Sequence, residues 1–217
     1  MTLTATIRAE IGNIITHGIG IVLALVALVT GLLTVYGSAH TAAARAATWI
    51  YGLCMIALYT ASTVYHSVFA HPTWQRFCRR FDHAAIYLMI AGTYTPFLWI
   101  ALDATAGLYW SVIIWSIATL GVVMKLIFAA RFQILSVLCY LGMGWLALWL
   151  LPDLLEVLPW QGLLWLALGG LFYSLGCLFY IAKHRPYAHV VWHCFVLAGS
   201  IAQWYSIQFY VLPQGAL

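Results

Sequence analysis

Seven apolar stretches, each long enough to cross a bilayer, dominate this sequence. They lie at approximately 14–36, 46–69, 84–102, 108–128, 133–151, 161–182 and 188–211. A helical span needs about 20 such residues, because the hydrocarbon core is about 30 Å thick and a helix rises roughly 1.5 Å per residue. In that core every backbone N–H and C=O must find its partner inside the segment, so each stretch is expected to be a helix. Seven spans with short loops use nearly all of the 217 residues and leave no room for a soluble domain. Composition agrees: 6% of residues are charged, where a soluble domain carries about 25%. The eleven tryptophans suit rings held at headgroup depth. The expected architecture is all-α, a polytopic bundle of seven transmembrane helices forming one membrane domain over residues 1–217. The first stretch, Ile14 to Tyr36, follows Arg8 and precedes Ala42-Ala43-Ala44, as a signal peptide would. It exceeds the roughly 15 residues of a signal h-region, and is therefore read as a span.

The nine Lys and Arg orient the bundle. Arg8 precedes the first stretch; Arg76, Arg79 and Arg80 lie between the second and third. Lys125 and Arg131 fall around the junction of the fourth and fifth, and Lys183 and Arg185 between the sixth and seventh. The other side has only Arg45, with Asp103, Asp153 and Glu156. This alternation, eight against one, predicts a cytoplasmic N-terminus and an external C-terminus in a cell's inner (plasma) membrane. No basic run suits a nucleic acid. The five cysteines are scattered singly, with no C-x-x-C pair and no disulfide framework.

On that topology the polar residues converge. His66 ends the second span, Asp82 opens the third, His189 and His193 open the seventh, and His17 starts the first, all on the same side of the membrane. His189 and His193 are spaced i, i+4 and project from one helix face. With His66 they would supply three nitrogens and leave a fourth tetrahedral position for water, the pattern of catalytic rather than structural zinc. Zinc lowers the pKa of its bound water to about 7, and Asp82 could hold that water or carry its proton. Ser62, one turn before His66, could orient a ligand or substrate. Asp82 also admits a plainer reading, as the N-cap of the third helix or a partner for Arg79 or Arg80. Glu10, Asn13 and His17 form a stripe at i, i+3 and i+7 that could support the site, touch substrate or be the polar side of a juxtamembrane helix. His83 and His184 adjoin this face but are expected to point elsewhere, and His40 and His71 are expected in solvated loops. Gly92 and Pro96 predict a kink in the third helix; Gly170 and Ser174 are read as packing residues.

These residues also carry a resemblance. The chain resembles the bacterial hemolysin III family, within the progestin and adipoQ receptor superfamily that includes the adiponectin receptors. The marks are Glu10-x-x-Asn13-x-x-Thr16-His17, Ser62-x-x-Tyr65-His66, Asp82-His83-x-x-Ile86-Tyr87 leading into Ile90-Ala91-Gly92-Thr93-Tyr94-Thr95-Pro96, and His189-x-x-x-His193. The resemblance implies zinc held by His66, His189 and His193, with Asp82 near it through water and Ser62 beside it; Tyr65, Glu10, Asn13 and His17 are candidate supporting residues. It also suggests, through kinship with alkaline ceramidases, hydrolysis of lipid amide or ester bonds in membrane-lipid homeostasis, with membrane lipids as partners. A sensor of membrane state with structural zinc is the alternative. A pore-forming cytolysin ranks third, because no span shows a polar stripe to line a water-filled path.

Overall fold

The computed structural model describes residues 3–128, 131–182, 185 and 187–215. Among them, seven helices are long and apolar enough to cross a membrane, and the protein is a multi-pass, all-α membrane protein. Helix α1 (Leu3–Gly37) is followed by α2 (Ala42–Ser67), whose N-cap Thr41 accepts the Ala44 N–H at 3.1 Å. Helix α3 (Pro72–Pro96) starts on a proline, where a missing N–H costs nothing. It runs on through a widened π-helical turn, Phe97–Ala101, because Pro96 cannot donate to the turn before it. Helix α4 is Ala104–Phe128. The fifth span is divided into α5 (Gln133–Trp145) and α6 (Ala147–Val157). Helix α7 (Trp160–Ile181) precedes α8 (Ala188–Ser206), which continues through a π turn, Ile207–Val211, and a short 3-10 turn, Leu212–Gly215.

Helices α1 and α3 overrun their apolar stretches, starting at Leu3 and Pro72 rather than near residues 14 and 84. Hydropathy marks where a helix leaves hydrocarbon, not where its backbone ladder stops. Glu10 therefore rides on α1, and Asp82 sits ten residues inside α3. That position corrects the N-cap reading of Asp82. Neither Arg79 nor Arg80 forms an ion pair with it among the described residues.

The bundle is tightest where small residues let backbones approach. A Cβ on Gly20 of α1 would stand 2.2 Å from the Tyr59 ring of α2, and one on Gly92 of α3 would stand 2.7 Å from Cys54 Cβ. Helices α1, α2, α3 and α8 pack in this manner, with α7 against α8 and α4 against α3. The α5–α6 span touches α3 and α7 only sparsely. It breaks at Leu146, between α5 and α6, and the Tyr94 hydroxyl donates to the carbonyls of Met143 and Gly144 just before the break at 2.9 and 2.7 Å. At the end of the bundle away from His66, His40 is buried rather than solvated. Its Nε2 lies 2.9 Å from the Leu212 carbonyl and its Nδ1 2.9 Å from Ser38 Oγ. His71, the residue before α3, is exposed.

Candidate metal centre

Two helices deliver the central histidines. His66 comes from the last turn of α2, while His189 and His193 come from the first two turns of α8. Because α1 packs against both α2 and α8, its polar stripe faces the same point. Each of the three imidazoles offers a nitrogen within 4.8 Å of the others. The ring centroids are 5.0 Å apart for His66–His189 and His66–His193, and 4.6 Å for His189–His193.

The hydrogen bonds behind these rings fix which nitrogen is free. Glu10 Oε2 lies 2.7 Å from His66 Nδ1. A carboxylate can only accept, so Nδ1 carries the proton and the Nε2 lone pair faces inward. That Nε2 is buried without a partner. Asn13 Nδ2 donates to the same Glu10 oxygen at 3.3 Å and holds it in place. His193 is held likewise: the Thr16 hydroxyl donates to the Gly12 carbonyl at 2.8 Å, which leaves its oxygen to accept from His193 Nδ1 at 3.1 Å. A carboxylate or hydroxyl behind a ligating imidazole, setting tautomer and ring orientation, is the usual support of a metal-bound histidine. The donor set fits a divalent transition metal: neutral imidazoles, one aimed and unpartnered nitrogen, and a position left for water.

The remaining predicted residues surround this cluster in different ways. Asp82 is buried on α3, beside Ser62 and within electrostatic reach of His66, and it lies outside the three-histidine group. The buried Ser62 hydroxyl closes no hydrogen bond, on Asp82 or elsewhere. His17 does not join the three histidines either. Its ring stacks on His193 at 3.5 Å and 10°, with the Tyr59 ring edge-on at 5.1 Å. Tyr65 packs at a steep angle on His66, centroids 4.6 Å apart. Against expectation, His83 is buried, its Nε2 3.9 Å from Asp82 Oδ2. His184 lies outside the described residues.

A cavity of about 270 Å³ opens from this polar end into the bundle. The buried His17, Ser62, Asp82 and His193 line its polar end, and Leu150, Leu154 and Leu163 line its apolar part, between α3, the broken fifth span, α7 and α8. The lining is mostly apolar, as an acyl chain requires. Gly170 and Ser174, expected to be packing residues, instead border this space. A Cβ on Gly170 would meet nothing within 4 Å, and Ser174 accepts the Trp145 indole N–H at 3.0 Å. Sequence reasoning gave Thr16 no role. The signal was its place one residue from His17 and three from Asn13, on the same face of α1.

The family profile described as Haemolysin-III related matches residues 5–204. The chain is 43% identical to a protein named Hemolysin-3 from Bacillus cereus over 97% of this chain and 95% of that one. It is 44% identical to a Hemolysin-3 homolog of Bacillus subtilis over 94% and 95%. A human monocyte to macrophage differentiation factor is 30% identical over 75% of this chain and 69% of its own length. The chain belongs to the haemolysin-III related family of multi-pass membrane proteins.

Proposed function

We propose that this protein is a zinc-dependent intramembrane hydrolase that cleaves amide or ester bonds of membrane lipids, with His66, His189 and His193 as the metal ligands. The observation that carries this reading is the unpartnered His66 Nε2, aimed by Glu10 toward two further imidazoles at the polar end of an apolar cavity. Zinc in such a site supplies Lewis acidity, which activates water at neutral pH and polarises a carbonyl. The chain's own groups do the rest. Glu10 and Thr16 hold two imidazoles in the ligating tautomer. Asp82, at the polar end of the cavity, accepts a proton and returns it to the leaving group. Ser62 offers an uncommitted hydroxyl to the lipid's polar head, and the apolar depth of the cavity takes the acyl chain and excludes water. The eight-to-one charge asymmetry supports a plasma-membrane protein with this site near the cytoplasmic face.

The test is metal content of detergent-purified protein beside His66→Ala and His189→Ala, followed by fatty-acid release from a panel of ceramides and acyl lipids. About one zinc per chain, lost in both variants, together with metal-dependent release, is the expected result. Metal-free wild type would sink the mechanism, and a zinc-loaded protein inert on every lipid would leave the second reading. In that reading zinc is structural and the protein senses membrane state. The sparse contacts of the broken α5–α6 span, which forms one wall of the cavity, favour it, because occupancy could move that wall. Full complementation of a deletion by Asp82→Ala with zinc retained would decide for the sensor.

A further inference from the structure

Arg79 and Lys125 lie at the histidine end of the bundle and form no ion pair among the described residues. The chain has five acidic residues, and Asp82 is the one that adjoins these groups, through His83. Glu10 holds His66 and Asp82 faces His83. Asp103 caps the start of α4 by accepting the Thr105 and Ala106 N–H groups at 2.9 and 3.1 Å. Asp153 and Glu156 sit on α6, toward the opposite end of the bundle.

Lys125, in the last turn of α4, is nevertheless only 4% exposed. Arg80 Nη1 donates to the Leu126 carbonyl at 3.4 Å, which holds the turn of α3 carrying Arg79 against the turn of α4 carrying Lys125, and both charges lie within electrostatic reach of His83. Arg79 also lies within electrostatic reach of Tyr65 of α2 and Tyr180 of α7. Its Nε is buried with no hydrogen-bond partner. The other groups facing this cluster are Cys139 of α5, beside Lys125, and Asp82, beside His83. Among the described residues no ion pair involves Arg79 or Lys125. Two like charges drawn together without an acceptor are costly to hold, and a bound anion would remove that cost. A guanidinium fork beside an ammonium suits phosphate, the first reading two oxygens and the second acting as a point charge.

The depth of the site says where that phosphate comes from. On the same helix Trp74, Phe77 and Phe81 are exposed and stack edge to face or at a tilt, with centroids 6.0 and 5.0 Å apart. Such a run of outward aromatics marks headgroup depth, and basic pockets between spans at that depth bind lipid headgroups. His83 also lines the cavity beside Asp82, so the cluster adjoins its polar end. We propose that Arg79, Lys125 and His83 form a binding site for the phosphate of an anionic phospholipid headgroup. The site does not depend on the histidine cluster holding a metal.

Native mass spectrometry of the detergent-purified protein tests it, with phosphatidylglycerol and phosphatidylcholine of identical acyl chains as probes and inorganic phosphate as competitor. Phosphatidylglycerol should bind about tenfold tighter than phosphatidylcholine. Lys125→Gln and Arg79→Gln should each lose roughly fivefold for the anionic lipid, while Arg131→Gln, an exposed charge at the same end, should lose little. Equal loss in all three variants would reduce the effect to diffuse surface charge and overturn the site, as would unchanged binding in the first two. Displacement of the lipid by millimolar inorganic phosphate would overturn the headgroup assignment and leave a soluble anion. Should Lys125→Gln fail to fold, the half-exposed Arg79 carries the test alone.

Discussion

Glu10 does more for the candidate site than its place on a juxtamembrane helix suggests, because it decides which nitrogen of His66 faces inward. Glu10→Gln keeps the shape but lets the amide donate as well as accept, so the tautomer is no longer fixed. The expected outcome is a 10- to 100-fold weaker metal affinity, read by competition with a chelator, with the melting midpoint of the metal-free protein unchanged. Thr16→Val removes the acceptor behind His193 and should cost about tenfold. Glu10, Asn13 and His17 were legible as one stripe of α1, since a helical period puts them on one face. That Glu10 and Asn13 reach His66, while His17 stacks on His193, was not legible, because it depends on how α1 lies between α2 and α8. Thr16 was silent for another reason: a threonine in a helix normally satisfies itself on the carbonyl four residues back, and this one does so while serving His193 too.

At the scale of elements, the fifth span shows how a polar side chain makes an irregular helix tolerable in lipid. The break at Leu146 frees the carbonyls of Met143 and Gly144, which Tyr94 satisfies. Tyr94→Phe should cost about 1–3 kcal/mol, measured as a lower midpoint of thermal unfolding, and should loosen α5 against α3. Neighbouring glycines of α7 separate packing from function. A Cβ on Gly169 would stand 2.5 Å from Gln203 Nε2, so Gly169→Ala displaces the Gln203 side chain from the Leu166 carbonyl it donates to at 3.1 Å and should destabilise by about 1–3 kcal/mol. Gly170 faces the cavity with nothing near it. Gly170→Leu should therefore leave the midpoint unchanged while lowering lipid hydrolysis, and equal loss of stability in both variants would show that the cavity is closed at that point. Helix overruns were the part of the element pattern that hydropathy missed, since polar residues end a span without ending a helix.

For the whole molecule, the metal would tie α2 to α8 across the bundle. Chelation should lower the melting midpoint by roughly 5–10 °C, from about 2.7 kcal/mol of linkage at a hundredfold excess over Kd. His66→Ala should melt at the lower temperature whether or not metal is present. Orientation is checked separately: reporter fusions after residues 37 and 128 should read external and cytoplasmic respectively, as the charge asymmetry requires. The reverse pattern would put the histidine cluster at the external face.

Seven helices follow from the sequence alone, because a chain in hydrocarbon must satisfy its backbone locally and 20 apolar residues have one economical way to do so. The same constraint sends His66, His189, His193 and Asp82 to one end, since each crossing reverses direction. Sequence could not say that Asp82 stands beside Ser62 and apart from the three histidines, that His83 turns inward and His40 is buried, or that the fifth span parts to leave a cavity. Those outcomes depend on the rotation of each helix about its axis. In lipid that rotation is decided by close contacts such as Gly20 on Tyr59 and Gly92 on Cys54, not by hydropathy, which is nearly the same all round.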